Sequence, residues 1–418
     1  MNFYQISVCV FAGALIMFML AYSYKIHFWK YGRRKQKVLP SAEQNKNYAI
    51  FVPARDESKV IRGILDSIKK QTYKQENLTT YIIVEDNDDP TIEICKEYKN
   101  TTCYVLPKKP GSKAGALKII TKDLYDQGKR YDGYFIIDAD NILFDDFVEN
   151  MHNALCAGND LVLGGRISTY PSGNAISAGS TLTWTFLNTL NNKCRSENGK
   201  NIIVQGSPLL ISKTLIEDFW HGEWPEMSLT EDLDITYICN LNNFKTFYYE
   251  YALVYDVQPN NRKAGFNQRM RWVKGHHQTN KKYYKQFLKT KCKYNDGIYK
   301  FDSLFSLFPA IAILVTFILF ILYSFIAAIV LACLSNPIWI WALVGGIVGT
   351  ALFYLTICFW TLFAMISDNE KLHMTVGQKI QAFFTVPFFY FDYLPIYVKT
   401  LFAKDVKWTK IDHTNSKK

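Results

Sequence analysis

The sequence predicts an α/β domain carried between membrane helices, and three observations lead there. Residues 306–334 and 337–366 form two long stretches without a charged side chain. From residue 47 onward, short β-rich runs alternate with helical ones, the pattern of an α/β sheet. Several of those runs end in acids or other polar residues, and ligands of such sheets collect at strand carboxyl ends.

The 418-residue chain has 48 Lys and Arg against 37 Asp and Glu, a formal charge of +11, and 16% aromatic residues. That balance suits a nucleic-acid binder or a membrane protein, and hydropathy selects the second. Each uncharged stretch exceeds the roughly 20 apolar residues that cross a bilayer. No nucleic-acid partner is expected. A third, slightly shorter stretch runs from Ile6 to Tyr22 and on to Trp29. No Lys or Arg precedes it, and the basic run "YKIHFWKYGRRKQK" follows it. A cleavable signal has the reverse order, so residues 1–30 read as a retained anchor with an outside N-terminus. The region from about residue 30 to about residue 300 is then cytoplasmic, in a multi-pass protein of the plasma membrane. The nine cysteines are scattered, with no CxxC or metal-ligand spacing, as expected of reduced cytosolic thiols.

The elements of the soluble half follow in order. "YAIFVPARDES" reads as a buried strand ending in a loop at Pro53 and Ala54. Val60, Ile61, Ile64, Leu65 and Ile68 then recur at helical spacing. "TTYIIVEDNDDP" is a second strand, broken by acids that include Asp86 and by Pro90. "GSKAGALKII" is a Gly-Ser-Lys loop entering a helix, and a helix N-terminus beside Lys113 suits phosphate. It lacks the spacing of a P-loop. "GYFIIDADNILFDDF" is a third strand with an acidic end.

In that last run Asp138 and Asp140 stand two residues apart, so strand periodicity can turn both towards one pocket. Two hard carboxylates there suit Mg²⁺ or Mn²⁺ shared with a diphosphate. An acidic turn explains the same residues. "SLTEDLDITYIC" offers Glu231, Asp232 and Asp234, with Thr230 as a helix cap being the plainer explanation.

"NQRMRWVKGHHQ", residues 267–278, is a basic and aromatic cluster about forty residues before the first long apolar stretch. It reads either as a patch for anionic head groups or as a surface for a doubly charged phosphate ligand. The longer run to Lys289 is amphipathic, with Lys281, Lys282 and Lys285 placed to face head groups. His276 and His277 read as solvated or structural rather than as nucleotide contacts.

Taken in order, "VPARDE", "VED", "KAGAL", "DAD", "TED" and "QRMRW" resemble the membrane-bound family 2 glycosyltransferases, the group of cellulose, hyaluronan, chitin and poly-N-acetylglucosamine synthases. The resemblance covers roughly residues 47–275, and the flanking helices extend it over nearly the whole chain. "TED" with "QRMRW" is closer to the cellulose and poly-N-acetylglucosamine synthases than to hyaluronan synthases. Asp56 stands where the family often has Asn, and "EDNDDP" replaces the usual Asp-Asp-Gly-Ser.

The resemblance implies an α/β GT-A-type nucleotide-sugar-binding domain that takes a UDP-sugar and inverts at the anomeric carbon. It implies Asp232 as general base with Glu231 beside it. Pro53, Ala54, Asp86, Lys113, Asp138, Gln268 and Arg271 would bind the donor. Asp140, with Asp138, would hold the metal. Trp272 and Gly206 would meet the acceptor, a growing glycan or a lipid-linked sugar. The expected organisation is an anchor at 1–30, a catalytic domain at 31–262, interfacial helices at 263–305, transmembrane and interfacial helices at 306–402 and a basic cytoplasmic tail at 403–418.

Residues 377–402 contain two prolines and Asp392, and a full crossing there would place the basic tail outside. An interfacial or re-entrant helix is therefore expected. Two activities remain open: a processive synthase that extends and secretes a β-linked polymer, and a transferase adding one or a few sugars to a lipid or oligosaccharide. Three or four membrane segments make a narrow pore for one chain. Self-sufficient secretion would call for a homodimer or an accessory subunit. A non-enzymatic receptor or scaffold would leave the recurring acids without work.

Overall fold

The computed structural model describes residues 3–168, 174–259, 261–305, 308–367 and 369–403. The basic tail from 404 lies outside the described residues. Eight strands form one sheet: β1 (Tyr48–Pro53), β2 (Leu78–Val84), β3 (Thr101–Val105), β4 (Gly133–Ile136), β5 (Ile142–Leu143), β6 (Leu161–Ser168), β7 (Leu209–Ser212) and β8 (Thr246–Asp256). Their order is β3-β2-β1-β4-β7-β6-β8-β5.

The first four strands in that order are parallel, with Phe51 opposite both Tyr81 and Ile136. β7 then runs antiparallel to both β4 and β6, so the sheet is mixed rather than parallel throughout. The β-rich runs read from sequence correspond to β1, β2 and β4. These are short, apolar and buried on both faces, hence continuous in hydrophobicity.

Two cores cover the sheet. One packs helices Lys113–Asp126 and Glu231–Leu241 against it through residues such as Leu117, Ile120, Ile235 and Cys239. The other packs helices Ile61–Lys69 and Phe147–Cys156 through Ile64, Leu65, Phe147 and Met151. Burial on both faces fixes the register, because a one-residue slip would exchange the two side-chain sets.

Among the described residues, three helical stretches are long and apolar enough to cross a membrane: Phe3–Gly32, Ile313–Cys333 and Trp339–Ser367. Residues 376–402 are two shorter helices, Val376–Phe391 and Tyr393–Phe402, meeting at Asp392. Each is shorter than a full crossing requires. The N-terminal stretch is tied to the soluble part by a buried ion cluster. Lys25 Nζ lies 2.6 Å from one Asp302 oxygen, and an Arg195 Nη lies 2.7 Å from the other. All three side chains are almost fully buried, and charges at that depth require partners.

Candidate active site

The carboxyl ends of β1, β2 and β4 share one edge because the three strands are parallel neighbours. Ala54 follows β1, and its N–H continues the ladder to the Ile83 carbonyl. Asp86 is exposed in the turn after β2. Asp56 has φ +56°, a left-handed conformation that Asp tolerates better than most residues.

β4 ends at Ile136, so Asp138 and Asp140 lie beyond it in a turn closed by the Asn141 N–H on the Asp138 carbonyl. Strand periodicity therefore does not place them. The acidic-turn reading and the ligand reading describe the same segment. Lys113, first residue of a helix whose Ser112 cap accepts from the Gly115 N–H, reaches Asp138 Oδ1 at 2.5 Å. Withdrawal from water would push the Asp138 carboxyl up. Lys113, Arg166 and Arg271 outweigh that and hold it below the usual range. Withdrawal from water would lower Lys113, but Asp138, Glu231 and Asp232 together keep it above its ordinary value.

Asp232 is the second residue of the helix Glu231–Leu241. Its Oδ2 accepts the Gly206 N–H at 2.7 Å, and its Oδ1 accepts the Leu233 N–H at 2.9 Å. Burial, followed by the charge of Glu231, pushes its carboxyl up to about 6, against the two N–H donors and Lys113. Thr230 occupies the cap position, but its hydroxyl makes no capping bond. It lies instead 3.4 Å from the Thr279 hydroxyl, which corrects the plain capping explanation of Thr-Glu-Asp.

Thr279 belongs to the 28-residue helix Arg262–Lys289, which begins on an Asn261 cap. Gly275 lets this helix approach: a Cβ there would sit 2.4 Å from Thr230 Cγ2. Further along, Tyr283 stacks on Tyr237 of the Asp232 helix at 5.4 Å. The start of the same helix binds the junction of the two short helices, where Arg269 and Arg262 both pair with buried Asp392, at 3.0 and 2.6 Å. Gln268, Arg271 and Trp272 share one face at i, i+3 and i+4. Trp272 meets Trp184 edge to face at 5.4 Å.

Lys281, Lys282 and Lys285 are exposed, although Lys282 donates to the Glu226 carbonyl. His276 is pushed down to about 4 by burial and then by His277, so it is neutral at pH 7. The ring of His277 packs against Tyr397.

Sequence reasoning missed Arg166, Trp184 and Asp256. Arg166, two residues before the end of β6, lies 3.7 Å from Asp256, the last residue of β8, and its guanidinium carbon lies 4.1 Å from the Trp184 ring centroid. A polar residue after a β-rich run was the available signal, but "GGRIS" carries no acid and no motif.

For a divalent cation the donor chemistry fits. Asp138 keeps 42% of its side chain exposed, and Asp140 is partly exposed two residues on. Among the described residues no three His, Cys, Asp or Glu side chains form a complete metal cage. A cation held by Asp138 and Asp140 would complete its shell with diphosphate and water oxygens, as Mg²⁺ commonly does.

The Bacillus subtilis (strain 168) protein "Probable glycosyltransferase YdaM" is 23% identical over 427 residues, covering 96% of this chain and 95% of that one. The mannosyltransferase PcManGT from Pyrobaculum calidifontis, solved in complex with GDP-Man and Mn²⁺, superposes with a TM-score of 0.57 at 15% identity. The match covers 94% of this chain and 100% of that one, and the likeness is one of fold. The model of the family described as "Glycosyltransferase like family 2" matches residues 45–275, more than half of the chain and the whole stretch from Pro53 to Trp272. The chain therefore belongs to glycosyltransferase family 2, with a GT-A-like fold.

Proposed function

We propose that this transferase is a membrane-embedded, inverting enzyme that uses a UDP-sugar to elongate a β-linked glycan at the plasma membrane, coupled to passage of the product through its helices. The catalytic domain lies on the cytoplasmic side. The observation that carries the inverting, general-base part of this reading is Asp232. It is a carboxylate pushed up to about 6, held by the Gly206 and Leu233 N–H groups, and it raises Lys113, which also pairs with Asp138. A carboxylate near neutrality is a suitable general base.

In the reaction the acceptor hydroxyl attacks the anomeric carbon from the face opposite the diphosphate. Its proton passes to Asp232, and the electrons of the breaking C–O bond leave with the nucleoside diphosphate. One base suffices, since inversion needs no covalent intermediate. Lys113 and Arg271 place positive charge where the diphosphate gathers negative charge. A cation on Asp138 and Asp140 would supply further neutralisation of that leaving group. Trp272 offers its ring to the C–H face of the terminal acceptor sugar, and Pro53, Ala54, Asp86 and Gln268 complete the donor side.

A second reading, transfer of one or a few sugars to a lipid or oligosaccharide, is favoured by one observation: only three stretches among the described residues are long and apolar enough to span. Membranes containing the full-length chain, incubated with individual radiolabelled UDP-sugars, test both. A ladder of long products supports elongation. A single short product supports the second reading, and no turnover with any sugar nucleotide rejects both.

A further inference from the structure

Arg166 has no role in the reaction as described above, yet three parts of the site meet on it. One Nη donates to the Gln205 carbonyl oxygen. The other lies 3.7 Å from Asp256 Oδ2. The guanidinium carbon lies over Trp184, 4.1 Å from the ring centroid. Gln205 immediately precedes Gly206, whose N–H holds Asp232. On its other side Trp184 meets Trp272 edge to face, with an interplanar angle of 77°. A continuous path of contacts therefore runs from Trp272 through Trp184 and Arg166 to the turn that fixes Asp232.

That turn depends on a glycine and leaves one polar atom unpaired. Gly206 sits at φ +70°, where a Cβ would lie 2.9 Å from the Arg166 Nη2. The Gln205 side-chain oxygen is buried without a hydrogen-bond partner. A buried oxygen left unpaired costs free energy, so contacts to the neighbouring backbone matter more there. A planar guanidinium can stack on a ring and donate in its own plane at once, which an ammonium cannot.

We propose that Arg166 is a positioning residue that joins the acceptor platform to the general base, bracing the Gln205–Gly206 turn through one Nη and Trp184 through its guanidinium carbon. This rests on the roles proposed above for Asp232 and Trp272. It gives Trp184 the task of backing the platform, and Asp256 that of orienting the guanidinium. Occupancy of Trp272 by a sugar and the alignment of Asp232 are then mechanically linked.

The test uses full-length enzyme in membranes, with the UDP-sugar identified by the donor screen. Arg166→Lys keeps the charge and loses the fork. Transfer kcat should fall on the order of 10–100-fold, as for a slightly misplaced catalytic group, while the donor KM stays at its wild-type value. Trp184→Leu should lower kcat less and shorten the product. The double variant should be no worse than Arg166→Lys alone, since the two act along one path.

A wild-type kcat in Arg166→Lys overturns the inference. So does a loss confined to donor KM, which marks a plain diphosphate cation, and so do multiplicative losses in the double variant. Should Arg166→Lys fail to accumulate, Trp184→Leu decides alone, and unchanged kcat and product length overturn the proposal. Asp232→Asn separates the two levels. Full turnover in that variant rejects Asp232 as the base on which this inference rests, whereas a dead Asp232→Asn beside a fully active Arg166→Lys rejects only the role of Arg166.

Discussion

Two carboxylates on one side of a lysine behave in opposite ways. Asp138, in the turn after β4, is held below the usual carboxylate range, whereas Asp232, at the head of its helix, is pushed up to about 6. Both lose water, and Lys113 faces both. What differs is the remaining company. Asp138 has Arg166 and Arg271 near it, while Asp232 has Glu231. The same residue type is thus shifted down in one place and up in the other, set by neighbours rather than by identity.

The largest way to break this contrast is Asp140→Ala, which should abolish turnover while the protein still inserts and folds. Chelation by EDTA should do the same to the wild type, since diphosphate charge then goes without its divalent partner. Normal activity in EDTA would end the metal assignment.

Asp232→Asn should reduce transfer by about 10²–10⁴-fold while calorimetry still records UDP binding, because the amide keeps the shape and loses basicity. Wild-type turnover would move the base elsewhere, with Glu231 the first suspect.

Titration sharpens the contrast further. The base is active when deprotonated, so kcat should fall as pH drops through about 6 and level off above it. Asp138, held low, should add no second limb in that range. Glu231→Gln removes a charge that raises Asp232, so the acid limb should move to lower pH. A shift upward, or none, would contradict the coupling.

The smallest effect concerns Trp272→Ala, which should impair elongation more than hydrolysis of the UDP-sugar to water. The loss of one ring contact is about 1 kcal/mol. Arg271→Ala should damage both activities, since they share the diphosphate. Equal losses in Trp272→Ala, measured per membrane-inserted molecule, would remove the acceptor platform.

The sequence alone determined the α/β class, the apolar spans and the order of the acidic and basic motifs. These are properties of periodicity and composition over contiguous residues: β1, β2 and β4 are buried on both faces and read as unbroken apolar runs, and the spans are long and uncharged. The tertiary structure decided what contiguity cannot carry. The antiparallel entry of β7 between β4 and β6 brings Gly206 to Asp232. Arg166 meets Asp256 because β6 and β8 are parallel neighbours ending together, with Ser168 opposite Asp256. Arg269, inside a motif legible in the sequence, turned out to serve Asp392 at the break between two short helices 123 residues away. The opposed behaviour of Asp138 and Asp232 was equally out of reach, because a carboxyl takes its pKa from charges that are near in space and distant along the chain.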